Sequence, residues 1–237
     1  MEKLIAILGQ TASGKTSLGE FLALTYDGEI VSADAKQVYR GMDIGTAKEK
    51  HLKVPQHLID IKDPGEKVTV AEYQALAYQT IDEILARGKQ PFLVGGSTLY
   101  AEAVTHGYVF NEQGKSSEQV PRYNVLEIAI HHDRERLKER AAGRLRERIA
   151  QGLPEEVQGL LDAGVSPTWL DHCGIEYKYF SKYILGELTL EEATAKTITA
   201  INQYIKRQYT WWRRHPEIQW VQEPEEAVVI VNRFLGR

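Results

Sequence analysis

Leu4-Ile5-Ala6-Ile7-Leu8 is an unbroken apolar run, the pattern of a short strand buried on both faces. A glycine-bounded turn, Gly9 to Gly14, follows it. Leu18, Phe21, Leu22 and Leu24 then recur at helical spacing, predicting a helix over Lys15 to Leu24. Glu29 to Ser32 and His57 to Ile61 read as the next two strands. Thr69 with Glu72 three residues on is a capping box, opening a helix that Arg87-Gly88 ends after Ala86. Pro91 to Val94 is a further buried strand, ending at Gly95-Gly96, and Ser97 is placed to cap a helix through Thr105. This alternation predicts an α/β fold with a parallel sheet flanked by helices. The pattern changes after His106. Gly107 to Gln119 is polar and turn-rich and reads as a loop, and Val125 to Ile130 as one more strand. Asp133 to Arg214 reads as mainly helical, with breaks near Gly152-Leu153-Pro154, Gly164 to Pro167 and Gly186. Ile218 to Val221 and Glu225 to Leu235 close the chain as a strand and a helix.

The length of 237 residues suits one domain over 1–237, and 43% hydrophobic with 26% charged residues excludes disorder, collagen and low-complexity scaffolds. No apolar run reaches the roughly 18 residues that cross a bilayer, and the Met1-Glu2-Lys3-Leu4 start lacks the character of a signal peptide. The lone Cys173 can form no internal disulfide and is expected in the core or a loop; a cytoplasmic location follows as an expectation. The net charge of −4 carries no basic signature over the whole chain. Two stretches differ. Asp133 to Ala150 holds seven Lys/Arg against four Asp/Glu, and Asn202 to His215 holds four Lys/Arg and no acid. Such patches suit phosphate, although a solvated helix face has the same composition.

Gly9-Gln10-Thr11-Ala12-Ser13-Gly14-Lys15-Thr16 fits G-x-x-x-x-G-K-[ST] between a strand and a helix. Backbone N–H groups and the helix N-terminus would cradle phosphate oxygens, Lys15 supplies a cation, and Thr16 a hydroxyl for Mg²⁺. The motif specifies phosphate rather than ATP. Asp34 ends the second strand at the edge where open α/β sheets bind ligands; it could hold Mg²⁺, act as a base or cap a turn. Gly95-Gly96-Ser97 ends another strand at that edge. Arg140 and Arg144 share a helix face, a spacing that suits a diphosphate. His131-His132 has no companion at metal-ligand spacing.

Taken together, these motifs resemble the tRNA dimethylallyltransferase (tRNA isopentenyltransferase) family nearly end to end. The resemblance rests on the Gly9 to Thr16 loop, Ser32-Ala33-Asp34 with Gln37-Val38-Tyr39, and the string from Tyr39 through Gly41-Met42-Asp43-Ile44-Gly45-Thr46-Ala47 to Lys48. Val54 to Asp60, Val94 to Tyr100, Gly174-Ile175-Glu176-Tyr177-Lys178 and Gln203 to Trp211 follow in family order. The resemblance implies a P-loop NTPase-like sheet with a helical C-terminal part over 133–214. It implies transfer of the dimethylallyl group from dimethylallyl diphosphate to N6 of adenosine 37 in the tRNA anticodon loop, by a monomer. Asp34 then resembles the base and Thr11 the threonine near the bridging oxygen. Lys15, Thr16 and Mg²⁺, with Arg140 and the neighbouring Arg144, would hold the diphosphate. Asp34, Ala35, Lys36, Gln37 and Ser97 resemble positions at the target nucleotide, and Lys206 and Arg207 would meet the RNA. The chain departs from the family in a shortened insertion loop over 107–120, with 26 residues between Tyr100 and Glu127. Ala35 also stands where a serine is usual. Relatives acting on free adenine nucleotide share the short form, which makes that transfer the alternative; a nucleotide kinase and a binding protein without catalysis complete the set.

Overall fold

The computed structural model describes residues 1–49, 51–111, 114 and 116–237. Strands β1 (Lys3–Leu8), β2 (Gly28–Ser32), β3 (Gln56–His57), β4 (Gln90–Val94), β7 (Asn124–Ile130) and β8 (Gln219–Val221) form one six-stranded sheet. Its order is β3-β2-β4-β1-β7-β8 and every pairing is parallel. Alternate residues of β1 feed two cores, as the period of a strand requires. Ile5 and Ile7 pack with Leu18 and Leu22 of α1 (Lys15–Thr25) and with Ala227 and Val231 of α9 (Pro224–Leu235). Leu4, Ala6 and Leu8 pack with Tyr73, Ala77 and Ile81 of α2 (Val70–Ala86) and with Trp212.

The helical part comprises α4 (Arg134–Ala150), α5 (Leu153–Asp162), α6 (Pro167–Cys173), α7 (Ile175–Ile184) and α8 (Leu190–Trp212). It builds a third core, in which Leu153, Val157, Leu170, Tyr177 and Phe180 close over Val38, Tyr39 and Met42 from the segment after β2. Cys173 is buried there with its Sγ 3.8 Å from the Met42 sulfur. No helix among the described residues is long and apolar enough to cross a membrane.

Several local expectations are corrected. The third strand stops at His57, because Leu58 (φ 60) and Asp60 (φ 53) take left-handed backbone that a strand cannot hold. Only half of the capping box at α2 forms: Thr69 accepts from the Glu72 N–H at 3.1 Å, while the Glu72 carboxylate pairs with Lys62 at 2.9 Å. The complete box stands instead at Thr189 and Glu192, opening α8. The helix expected after Ser97 is short: α3 (Thr98–Glu102) passes into a wider π-type turn, Ala103–Gly107. The loop expected over 107–120 contains a hairpin, β5 (Tyr108–Phe110) against β6 (Ser116–Gln119). Gly107 closes its base at φ 69, where a Cβ would fall 2.0 Å from the Val120 carbonyl oxygen. Glu112, Gln113 and Lys115 of the polar run lie outside the described residues.

Candidate active site

The C-terminal ends of β1, β4 and β2, neighbours in the sheet, carry the P-loop, Gly95-Gly96-Ser97 and Asp34. Below α4, α7 and α8 these ends border a cavity of about 440 Å³, within the usual range for small-molecule sites. Thr11, Ala12, Lys15 and Thr16 line it from the P-loop. Gly9, Gln10, Ser13 and Gly14 are the frame of that loop. Gly9 (φ 134) and Gly14 (φ 91) take the conformations that glycine tolerates, and Ala12 (φ 65) takes one that costs an L-residue about 1–2 kcal/mol. The loop is held from outside. Gln208 of α8 accepts from the Thr11 N–H at 2.8 Å and the Thr11 hydroxyl at 3.2 Å, and its amide donates to the Gly96 carbonyl at 2.9 Å. Gln10 donates to the Ile205 carbonyl at 3.2 Å. The P-loop is therefore latched to the C-terminal helix.

The Lys15 amine donates to the Gln10 carbonyl at 3.2 Å. Burial pulls its pKa down to about 8, with Arg144 adding to the shift and Asp34 opposing it. Lys15 keeps some exposed surface, and it borders the cavity. Two cations, Lys15 and Arg144, thus share one cavity with a P-loop, which suits an anion of more than one charge. Arg148, one turn beyond Arg144, also lines the wall, donating to the Gly45 carbonyl at 2.8 Å and to Glu176 at 2.9 Å. Arg140 does not border the cavity. It lies beside the loop, its Nη2 3.6 Å from where a Gly14 Cβ would stand and its Nη1 3.2 Å from His132 Nε2. Burial lowers the His132 pKa, and its Nε2–H donates to the Ser13 carbonyl at 2.9 Å, so His132 braces the outer side of the loop while Arg140 lies alongside without a bond to that nitrogen.

Of its alternatives, Asp34 makes the turn cap and also stands at the cavity. Its Oδ1 accepts from the Lys36 N–H at 2.9 Å, a turn-capping bond, while the residue borders the cavity. Ser97 makes no side-chain cap; its hydroxyl accepts from the Ala35 N–H at 2.9 Å and fixes the turn that carries Asp34. Gln37 accepts from the Ser32 hydroxyl at 3.1 Å and donates to the Thr46 carbonyl at 3.3 Å. Lys36, Gln37 and Ser97 line the cavity. Of the two RNA candidates, Arg207 lies on the wall, its guanidinium 5.7 Å from the Tyr204 ring centre, whereas Lys206 is exposed on α8 outside it.

Another wall is made by Gly45, Thr46 and Ala47 of the Gly41 to Lys48 segment. Its shape comes from Glu156 of α5, whose carboxylate accepts from the Asp43, Ile44 and Gly45 N–H groups at 2.7–2.9 Å and from the Tyr177 hydroxyl at 2.7 Å. A Cβ at Gly45 would lie 2.5 Å from the Tyr177 ring. Sequence reasoning assigned no role to Gln208, Tyr204, Arg148, Glu156 or Tyr177. One of them left a signal: the buried stripe Ile201, Ile205, Gln208, Trp212 of α8 places a glutamine among apolar residues. Glu156 left none, since a glutamate in the first turn of a helix is ordinary.

Residues 37–119 and 108–215 match the IPP transferase family. The two matched stretches overlap where the hairpin stands. tRNA dimethylallyltransferase 2 of Shewanella sediminis is 39% identical, over 92% of this chain and 93% of that protein. tRNA dimethylallyltransferase 1 of Parabacteroides distasonis is 35% identical, over 99% and 98% respectively. The match to the Shewanella protein runs over 279 aligned positions but takes in 92% of 237 residues, about 218, so about sixty positions are filled in the relative alone. The solved structure of the full-length tRNA isopentenylpyrophosphate transferase from Bacillus halodurans superposes with a TM-score of 0.87 at 32% identity, covering 100% of this chain and 96% of that one.

Proposed function

The chain belongs to the IPP transferase family, and from that membership we propose that it transfers the dimethylallyl group of dimethylallyl diphosphate to N6 of adenosine 37 in tRNA. The observation that supports this reading is a single cavity bordered by a P-loop, the cations Lys15 and Arg144, and the Asp34 carboxylate. The diphosphate sits on the N–H groups that open α1 and on Lys15, whose amine gains proton affinity when an anion joins it. The allylic C–O bond breaks with its electron pair leaving on the diphosphate, and N6 forms the new bond to that carbon. Asp34 takes the N6 proton on Oδ2, since Oδ1 is engaged by the Lys36 N–H. A positioned base of this kind contributes about 10²–10⁴-fold. The Thr11 hydroxyl, now on Gln208, is placed at the loop to turn toward the bridging oxygen. The reacting adenine leaves its stacked loop, and Tyr204 with Arg207 offers it a ring and a guanidinium to lie against.

Thr16 borders the same cavity, and its hydroxyl is an oxygen donor of the kind that suits a hard cation. Mg²⁺ held by Thr16 and the diphosphate oxygens would offset charge on the leaving group. The short hairpin and the sixty or so positions absent from this chain favour a second reading, transfer to free adenine nucleotide. Labelled dimethylallyl diphosphate with Mg²⁺ separates the two. Label on an anticodon stem-loop with adenosines at 36–38, and little on AMP, is expected; label on AMP alone would overturn tRNA modification. Asp34→Asn is expected to remove most transfer while diphosphate still binds, and normal transfer by that variant would remove Asp34 as the base.

A further inference from the structure

A separate cluster of ligand-type side chains lies beside β7, where the turn leading to the β5–β6 hairpin meets the connection from α8 to β8. His106, His215 and Glu217 each turn one donor atom inward, all within 4.8 Å of one another. His106 Nε2 is 3.3 Å from Glu217 Oε1, and His215 Nδ1 is 3.0 Å from the same oxygen. Glu127 of β7 brings its Oε1 to 3.5 Å from His106 Nε2. Its other oxygen, Oε2, is buried without a hydrogen-bond partner in a residue that is 5% exposed. His106, Glu127 and Glu217 also border a second cavity of about 690 Å³ that shares no residue with the P-loop cavity.

We propose that this cluster is a divalent transition-metal site of the zinc class, with His106 Nε2, His215 Nδ1 and Glu217 as its ligands and Glu127 beside His106 outside the ligand set. A tetrahedral ion 2.0–2.2 Å from nitrogen and oxygen ligands holds those ligands about 3.3 Å apart. Glu217 Oε1 lies 3.0 Å from His215 Nδ1 and 3.3 Å from His106 Nε2, close to that spacing, and the ligand atoms of all three residues fall within 4.8 Å of one another. The outer contacts suit a metal ligand as well. His215 Nε2 lies 3.0 Å from Glu102 Oε1, so a proton held there leaves Nδ1 with its lone pair for an ion. Glu102 is itself fixed by the Tyr108 hydroxyl at 2.6 Å and by the Trp211 indole N–H. Glu217 as ligand and Glu127 beside His106 place two carboxylates against a divalent charge. Glu217 is 46% exposed at its side chain and opens a path to solvent. The ion would tie together positions 106 and 215–217, far apart in sequence, and its role is structural. This inference does not depend on the transfer chemistry proposed above.

The test is equilibrium dialysis of the chelator-stripped full chain against Zn²⁺, with Co²⁺ as a spectroscopic probe. One zinc per chain and the visible band of tetrahedral Co²⁺ are expected, with a rise in Tm of roughly 5–10 °C at a hundredfold excess over Kd. Glu217→Gln, at a half-exposed position, is expected to weaken binding by 10-fold or more. The double variant His106→Gln/Glu217→Gln, shown folded by circular dichroism, is expected to lose both the band and the Tm response. A folded wild-type chain that takes up no zinc at micromolar concentration, or a double variant that retains one equivalent, overturns the proposal.

Discussion

Replacing Lys15 by methionine removes the charge at the cavity and keeps most of the apolar stem. The free protein is expected to become more stable while transfer is lost. Burial holds the Lys15 pKa near 8, against 10.5 ordinarily, a difference worth about 3 kcal/mol. The sign follows from proton counts. Between pH 8 and 10.5 the unfolded chain keeps a proton that the folded chain has released, so stability rises with pH there. The penalty is therefore fully present below about pH 8 and relieved toward pH 10.5. Water in the cavity screens the amine, and the bond to the Gln10 carbonyl, worth about 0.5–1.5 kcal/mol, is lost with it. A net gain of about 1–2 kcal/mol remains at pH 7, or about 2–8 °C in Tm for a chain of this size. Thermal unfolding of both proteins from pH 7 to pH 10 measures it, because titrations common to both cancel in the difference. The gap should be widest at pH 7 and close by pH 10, and diphosphate should raise Tm in the wild type far more than in the variant. A variant no more stable at pH 7, or a gap that does not change with pH, would refute the buried, charged lysine.

Gln208→Leu leaves the Thr11 N–H without a partner and the Gly96 carbonyl with only the Tyr204 hydroxyl at 3.5 Å; a loss of about 1–3 kcal/mol is expected in urea unfolding, with a raised KM for dimethylallyl diphosphate as the loop loosens. Glu156→Gln weakens the bonds to three consecutive N–H groups and the Tyr177 hydroxyl, and should cost about 1.5–3 kcal/mol in the same assay. Arg207→Ala removes a cavity cation and should weaken stem-loop binding and slow transfer together. Lys206→Ala, outside the cavity, should leave transfer at saturating RNA unchanged and lower the slope of log K against log salt by about 0.7–0.9; an unchanged slope would take Lys206 out of the RNA contact.

What could be read from the chain alone was whatever depends on neighbouring residues. The apolar runs that became β1 and β4 needed only their own composition, and the Gly9 to Thr16 loop needed only a strand before it and a helix after it. What could not be read depends on partners distant in sequence. Leu58 and Asp60 look like strand residues, yet their left-handed backbone ends β3. Arg140 and Arg144 look equivalent on one helix face, yet His132 and the outer side of the P-loop take the first and the cavity takes the second. The strings around Gly45 and Tyr177 show why motifs far apart in sequence occur together. A side chain at Gly45 would collide with the Tyr177 ring, and both residues hang on the Glu156 carboxylate. They form one wall built from two parts of the chain.

The hairpin bears on function in the same way. Among the described residues, the cavity lining passes from Ser97 directly to Ala141, and between those positions His132 and Arg140 touch the P-loop only from its outer side. The stretch in which the insertion is reduced does not line the cavity, unlike the P-loop, Asp34 and both wall segments. Shortening it can change how RNA is gripped without moving an atom of the chemistry. That separation is what makes the comparison of stem-loop with AMP informative, since both substrates would meet the same catalytic groups and differ only in what the rest of the protein can hold.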